Sequence, residues 1–409
     1  MDLLRYPKLR FSTSLPHSPY RAPHPPRFFS IRSTLTLPFK KEKAKYYKEL
    51  EVAINVVQRA CNLCVDVQRS LFSSDGRIIQ KSDRTPVTIA DFGVQALVSL
   101  ELSNLFPSIP LVAEEDSAFL RSNNLVDAVA NVVTDKVQSG DKLVKDDILK
   151  AIDRGGKEAY VFSQKPATYW VLDPIDGTRG FVKGKEALYV VGLALVVEGN
   201  IVLGVMGCPN WQEDSHDKSE SEGIKGDKFA SGAGLLMISH VACGTWKIRL
   251  WDNLYTSAIT SNNWIRCFVD VCQLIHEGRF CFPESQKWES LPLSTQYSAS
   301  INRTNGGDKE VLLLPTCCGS LCRYMMVASG RASVFILHTR AEKTIKAWDH
   351  AVGVICIHEA GGKVTDWRGS QLDFAEDQIE RRAIFPSGGI LVTNDRLHGQ
   401  ILGLISASV

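Results

Sequence analysis

The stretch Trp170-Val171-Leu172-Asp173-Pro174-Ile175-Asp176-Gly177-Thr178-Arg179-Gly180-Phe181 passes abruptly from an apolar run into two carboxylates, a glycine and a hydroxyl. The apolar run reads as a buried strand. Asp173 and Asp176 stand three apart, and Pro174 stiffens the turn between them. Gly177 lets the backbone come close to a ligand, and Thr178 suits the N-cap of a following helix. Carboxylates gathered at a strand end repel one another unless cations or protons neutralise them. Hard oxygen donors favour magnesium, which takes one or two carboxylates together with water and a phosphate oxygen. Free N–H groups at a helix start receive an anion. Metal and phosphate therefore fit the same dozen residues.

At 409 residues and 44% hydrophobic, the chain can bury a large core and is long for one domain. Its net charge of +2 is unevenly spread. Residues 1–41 hold eight Lys or Arg and one acid, which leaves 39 basic and 44 acidic residues in the rest, a net −5. A body of that sign lacks the basic face that a nucleic-acid polymer requires. The leader, read here as residues 1–43, is also rich in Ser, Thr and Pro, the composition of an organelle transit peptide. Its arginines suit a mitochondrial address; its prolines and hydroxyls suit a chloroplast equally. No run of 18 uncharged apolar residues exists, so no membrane span is expected. Eleven scattered cysteines favour reduced thiols over a disulfide framework. Cys61/Cys64 and Cys317/Cys318/Cys322 lack partners at zinc spacing and read as packing residues.

From Tyr46, Leu50, Val57, Cys61 and Val65 recur at helical spacing, and so do Val94, Leu97, Val98 and Leu102 further on. Ser82 to Thr88 reads as extended because Pro86 disfavours helix before it. Ile109 to Ala113 reads as a strand stopping at Glu114-Glu115-Asp116, and residues 117–168 as mostly helical with a short strand at 159–162. Ala187 to Cys208, broken by Glu198-Gly199-Asn200, predicts a hairpin in a mainly antiparallel sheet. Residues 211–234 read as an exposed polar loop, and 234–239 as a further strand. A domain boundary is expected near residue 250, dividing 44–250 from 251–409. Beyond it, helices at 321–329 and 350–360 alternate with strands at 332–337 and 390–392, the pattern of a layered α/β domain. Asn262 to Ser300 reads as a divergent insertion.

Four separated segments put carboxylates at the ends of elements: Asp91, Glu114, the Asp173/Asp176 pair, and Asp349 in Lys346-Ala347-Trp348-Asp349-His350-Ala351. An isolated Asp-x-x-Asp is more often a solvated helix cap, and Asp91 alone reads as an acid favouring a helix dipole. Taken together and in order, the four segments resemble the lithium-sensitive, magnesium-dependent phosphomonoesterases, the superfamily of inositol monophosphatases and bisphosphate nucleotidases. The resemblance spans roughly residues 45–409 and implies a two-domain α/β/α/β/α sandwich. It implies two or three magnesium ions. Glu114, Asp173 and the Ile175 carbonyl would hold one, and Asp173, Asp176 and Asp349 a second, as a pair able to clamp an in-line displacement. Asp91 and Thr178 would orient and deprotonate the attacking water, and the N–H groups of Gly177 and Thr178 would receive phosphate oxygens. Glu115 and Asp116 read as solvated neighbours, Glu115 able to ligate through water. His350 reads as a packing residue behind the site, and Trp348 as a wedge against the sheet.

Gly177-Thr178-Arg179-Gly180-Phe181, the long separation of Glu114 from Asp173, and Trp348-Asp349-His350-Ala351 look like the bisphosphate nucleotidase branch, in an organelle-targeted, plant-like form. Within it, Gly319-Ser320-Leu321-Cys322-Arg323-Tyr324 resembles a nucleotide-contacting turn, with Ser320 and Arg323 as substrate contacts beside Asp349. Two features of the branch have no counterpart: an Arg where Leu337 stands, and a Ser-x-Ser-His turn. The resemblance implies a small phosphate ester as partner, removal of the 3′-phosphate of adenosine 3′,5′-bisphosphate, and inhibition by lithium. An inositol phosphate or phosphosugar substrate, or a non-catalytic phosphonucleotide sensor, remain the alternatives.

Overall fold

The computed structural model describes residues 36–73, 79–80, 86–137, 144–156, 161–162, 167–184, 187–212, 234–251, 263–301, 309–314, 316–317, 319–339 and 344–407. The basic leader up to residue 35, most of the extended segment before Pro86, the polar loop 213–233 and Cys318 lie outside the described residues, as do Ala159 and Tyr160. The remaining two residues of that expected strand, Val161 and Phe162, are not in a strand, although the Phe162 N–H donates to the Ile379 carbonyl at 2.8 Å.

Apolar residues at three- and four-residue spacing give helix Tyr47–Ser73 one buried face, with Leu50, Val57, Cys61 and Cys64 fully enclosed. That face lies on strand Asn200–Cys208, where a Cβ on Gly207 would come within 2.4 Å of Cys61 Sγ. Helix Ile89–Leu105 packs beside it, and the shorter helices Ala118–Ser122, Val126–Thr134 and Lys145–Gly155 follow.

A seven-stranded sheet runs in the order Leu111–Ala113, Tyr169–Asp176, Val190–Val197, Asn200–Cys208, Leu235–His240, Gly244–Arg249, Ile265–Arg266. Its first pair is parallel and the rest are antiparallel. The expected hairpin is present: Glu198 and Gly199 both take positive φ, 50° and 83°, the geometry that a two-residue connection between right-twisted strands demands. All eight residues of Tyr169–Asp176 are buried, which explains an apolar run without alternation.

A second sheet has the order Ser298–Ser300, Glu310–Leu313, Arg279–Cys281, Val334–His338, Gly389–Asn394, Gly362–Asp366. Its first four strands are parallel and the last two pairings antiparallel. The stretch read as a divergent insertion, described from residue 263 to Ser300, is built into both sheets. It supplies the edge strand Ile265–Arg266 to one sheet, and strands Arg279–Cys281 and Ser298–Ser300 to the other. Short strands with weak alternation concealed it, because their pairing is between distant segments.

Helices Leu321–Ala328 and Ala351–Glu359 lie between the sheets. One core unites Val171, Ala194 and Met206 of the first sheet, Leu321, Tyr324 and Val352 of these helices, and Phe335 and Val392 of the second sheet. On the far face, Val334, Ile336 and Leu391 pack with Leu397, Ile401 and Ile405 of helix Asp395–Ala407. The alternation of Val334, Phe335 and Ile336 between two cores is the period-two signature of a strand covered on both faces. The layers are α/β/α/β/α, as the family resemblance implied. No described helix is long and apolar enough to cross a membrane.

Among the described residues, nine cysteines stand outside any disulfide, Cys61 and Cys64 among them. Cys317 departs from the packing reading: it is disulfide-bonded, and its sulfur accepts from Lys183 Nζ at 3.2 Å. Burial pushes the thiols of Cys61, Cys64, Cys208 and Cys356 up, and those of Cys281 and Cys322 up to about 12. The thiolate is the reactive form, so native alkylation should reach half-buried Cys243 and Cys272 first. Peptide mapping after brief iodoacetamide treatment at pH 8 tests this; earlier modification of Cys61 or Cys64 would contradict the packing.

Candidate active site

The strand Tyr169–Asp176 ends at a cleft of about 360 Å³ whose walls include Glu114, Asp173, Ile175, Asp176, Gly177, Thr178, Arg179, Gly319, Ser320, Arg323 and Asp349. Chain segments far apart in sequence thus meet: the ends of the two parallel strands, the start of helix Leu321–Ala328, and the residue two before helix Ala351–Glu359. Carboxylate oxygens of Asp173, Asp176 and Asp349 lie within 4.8 Å of one another. Glu114 shares the cleft wall without joining that tight group.

Asp173 is 1% exposed, and its Oδ1 is buried without a hydrogen-bond partner. Burial holds its carboxyl well above the usual range, and the charges of Asp176, Glu114, Asp349 and Asp91 push the same way. A buried, orphaned carboxylate oxygen among other acids requires a proton or a cation. The donor set, all hard oxygens, fits a divalent cation such as magnesium.

Asp176 is pushed up to about 6 by burial, against backbone hydrogen bonds and Arg323 that pull it down. Its Oδ1 accepts from the Ser320 N–H at 3.0 Å and its Oδ2 from the Leu321 N–H at 2.6 Å. The first-sheet carboxylate is thereby fastened to the start of the helix between the sheets. Gly319 makes this possible: its φ is +79°, and a Cβ there would lie 2.4 Å from Asp176 Oδ2. Gly319→Ala should lower kcat/KM roughly 30-fold through about 2 kcal/mol of strain and displacement. Steady-state kinetics beside a thermal midpoint check it, and a wild-type rate would mean that this turn does not place Asp176.

Asp91 caps a helix with one carboxylate oxygen and reaches Thr178 with the other. Its Oδ2 accepts from the Thr88 N–H and hydroxyl, each at 2.8 Å, closing a capping box on helix Ile89–Leu105. Its Oδ1 lies 3.2 Å from Thr178 Oγ1, which is also 3.1 Å from the Ile175 carbonyl oxygen. Thr178 is the first residue of helix Thr178–Lys183 and not its cap; Gly177, at φ 87°, takes that place, because a left-handed residue is needed to leave the strand so sharply.

Ser320 and Arg323 both line the cleft. Arg323 is 3% exposed, lies 5.7 Å over the Phe335 ring, and donates from one terminal nitrogen to the Gly319 carbonyl, while its Nε is buried without a partner. Glu115 is buried and not solvated: its N–H donates to Gln95 Oε1 at 2.9 Å, and Gln95 Nε2 donates to its carbonyl at 2.6 Å. Asp116 is exposed, as expected. His350 is buried with Nδ1 3.0 Å from the Tyr324 hydroxyl, a packing contact behind Asp349.

Sequence reading missed Pro283, Glu284 and Ser285, which also line the cleft. They follow strand Arg279–Cys281, so the signal was present: a short apolar run ending in Pro, an acid and a hydroxyl, the same strand-to-turn grammar as at Asp173. Glu284 faces Lys183 across the rim at 3.7 Å.

Residues 45–409 match the sequence model of the inositol monophosphatase family. The chain belongs to that family. It is 62% identical over 383 residues to "Putative 3'(2'),5'-bisphosphate nucleotidase, mitochondrial" of Arabidopsis thaliana, across 93% of this chain and 92% of that one. It is 35% identical over 379 residues to "3',5'-bisphosphate nucleotidase 2" of the same plant, across 89% and 97% of the two chains. In fold it is similar to CysQ from Bacteroides thetaiotaomicron, described as a bacterial member of the family, with a TM-score of 0.51 at 18% identity over 86% of this chain and 99% of that one.

Proposed function

We propose that this inositol monophosphatase-family chain is a magnesium-dependent phosphomonoesterase that removes the 3′-phosphate of adenosine 3′,5′-bisphosphate, giving AMP and phosphate. The observation that carries the reading is the orphaned Asp173 Oδ1 within a carboxylate cluster on the cleft wall. The names of the two plant relatives support the substrate.

Glu114, Asp173 and the Ile175 carbonyl would hold one magnesium, and Asp173, Asp176 and Asp349 another. When bound, magnesium lowers the pKa of water and neutralises charge on a phosphate in flight. The chain's own groups do the rest. Thr178 Oγ1 accepts a proton from the attacking water as it donates its own to Asp91 Oδ1, the acceptor 3.2 Å away. Asp91 is fit for that task because Thr88 anchors its other oxygen and leaves Oδ1 facing Thr178. The Gly177 and Thr178 N–H groups, on the cleft wall, take phosphate oxygens where charge accumulates. Arg323, with Nε unsatisfied, and Ser320 take the distal part of the substrate.

The Arabidopsis relative named mitochondrial supports import into that organelle by the basic leader, with a chloroplast address as the alternative. We also infer a division of labour near residue 250, with Asp91, Glu114, Asp173 and Asp176 before it, and Arg323 and Asp349 after it.

Phosphate release should be measured with magnesium on adenosine 3′,5′-bisphosphate, inositol 1-phosphate, inositol 1,4-bisphosphate and fructose 1,6-bisphosphate. The nucleotide is expected to exceed the others in kcat/KM by 10²-fold or more, roughly the discrimination that contacts to one additional moiety supply. Preference for a polyol or sugar phosphate would keep the chemistry and overturn the substrate. Binding of the nucleotide without turnover would overturn the enzyme reading.

A further inference from the structure

Arg382 lies outside the cleft, yet it touches two of the segments that bring carboxylates to it. One terminal nitrogen donates to the Glu114 carbonyl at 3.3 Å, and the other to the Gly155 carbonyl at 3.2 Å. The guanidinium lies 4.8 Å over the ring of Trp348, the residue immediately before Asp349. Its backbone is held as well: the Arg382 N–H donates to Asp377 Oδ2 at 2.8 Å, and the Ala347 N–H donates to the Arg382 carbonyl at 2.9 Å. Trp348 is 4% exposed, so this contact is enclosed.

We propose that Arg382 is a positioning residue: one guanidinium sets the Glu114 segment of the first sheet against the Asp349 segment that leads into the helix between the sheets. The inference rests on reading Glu114 and Asp349 as magnesium ligands. Asp173 and Asp176 share one strand end and keep their spacing by covalent geometry. Glu114 and Asp349 have no such tie; they are 235 residues apart and arrive from different layers. A cation site built from both demands that their separation be fixed to within a few tenths of an ångström, and groups supporting ligands typically set metal affinity by 10- to 100-fold. Only a planar fork suits the position: two donors at a fixed angle reach two carbonyls while the flat face rests on an indole. Lysine offers one point charge and no plane.

Charge alone predicts the opposite sign. Arg382 stands close to Glu114, Glu115, Asp116 and Glu380, so removing its charge would by itself make the surroundings more negative and tighten cation binding. A positioning role predicts weaker binding. The experiment is calorimetric titration of the full chain with Mn²⁺ alone, without substrate, for the wild type, Arg382→Gln and Arg382→Lys. Thermal midpoints in chelator are recorded alongside, and Val364→Ala, a buried change in the second sheet, serves as a control for destabilisation alone. The expected result is about tenfold weaker Mn²⁺ binding for Arg382→Gln and about threefold for Arg382→Lys, with Val364→Ala unchanged. Unchanged or tighter binding in either Arg382 variant overturns the proposal, and so does equal weakening in Val364→Ala. Should both Arg382 variants fail to fold, Trp348→Leu removes the platform and leaves the hydrogen bonds. It should weaken Mn²⁺ about threefold, and wild-type affinity would overturn the proposal. A wild type that binds no Mn²⁺ removes the magnesium reading and this inference with it, an outcome distinct from a wild type that binds and variants that match it.

Discussion

Asp176→Asn is expected to lower kcat/KM by about 10³-fold at saturating magnesium while leaving the chain folded. The size follows from two functions meeting at one carboxylate. Asp176 belongs to the cluster with Asp173 and Asp349, and both of its oxygens accept N–H groups from the start of helix Leu321–Ala328. Asparagine keeps one acceptor and turns an amide toward the other N–H, a mismatch that costs about 1–3 kcal/mol. It also removes one negative charge from the carboxylate cluster. Gly319, Ser320 and Arg323 would then shift together, so KM for the nucleotide should rise as kcat falls. Steady-state kinetics over a magnesium series test this. A variant with full kcat at high magnesium would show that Asp176 only tethers the helix; a variant with wild-type kinetics throughout would remove it from the site.

The metal-free protein should lose stability as pH rises from about 4 to about 7, and magnesium should restore it most at the upper end. Burial pushes Asp176 up to about 6 in the fold, against an ordinary aspartate value near 4 when unfolded. The folded state therefore holds the proton more tightly, and the stability this supplies is present below about pH 4 and is lost as pH passes through 6. The shift corresponds to on the order of 3 kcal/mol for this buried group, and Asp173 pushes in the same direction. Magnesium at 100 times its dissociation constant adds about 2.7 kcal/mol. Other carboxylates behave oppositely: backbone hydrogen bonds hold Asp377 below its usual value, so its contribution is lost on acidification. The readout is accordingly a difference. In chelator, the thermal midpoint of the wild type relative to Asp176→Asn should fall by several degrees between pH 4.5 and 7.5, and magnesium should abolish the fall. A flat difference would mean that the acids in the cleft do not strain the empty fold.

Much of this site was legible in the linear chain because its chemistry is local. Asp173, Asp176 and Thr178 sit within six residues at the end of a fully buried strand, and a buried strand that ends in acids can be recognised from apolar length and abrupt polarity alone. Helices Tyr47–Ser73 and Ile89–Leu105 were visible through their spacing, and the hairpin through Glu198-Gly199. The layer order followed from resemblance together with the alternation of elements. The second sheet was largely hidden, since Arg279–Cys281 has three residues and finds its neighbours at 310–313 and 334–338. Short parallel strands draw their stability from distant partners, and no local period announces them.

The tertiary structure alone decided how groups without charge complementarity or sequence proximity meet. Burial of Glu115 depends on Gln95, one helical turn after Asp91, turning its amide to both main-chain groups of that residue. The place of Pro283, Glu284 and Ser285 on the cleft wall depends on which strand lies beside Val334–His338. The grip of Arg382 on the Glu114 and Trp348 segments arises from packing across layers. Sequence specifies which residues carry charge and where backbone turns, because those are properties of a few neighbouring atoms. Distances between segments hundreds of residues apart are set by the summed packing of the layers between them, and only the folded chain contains that sum.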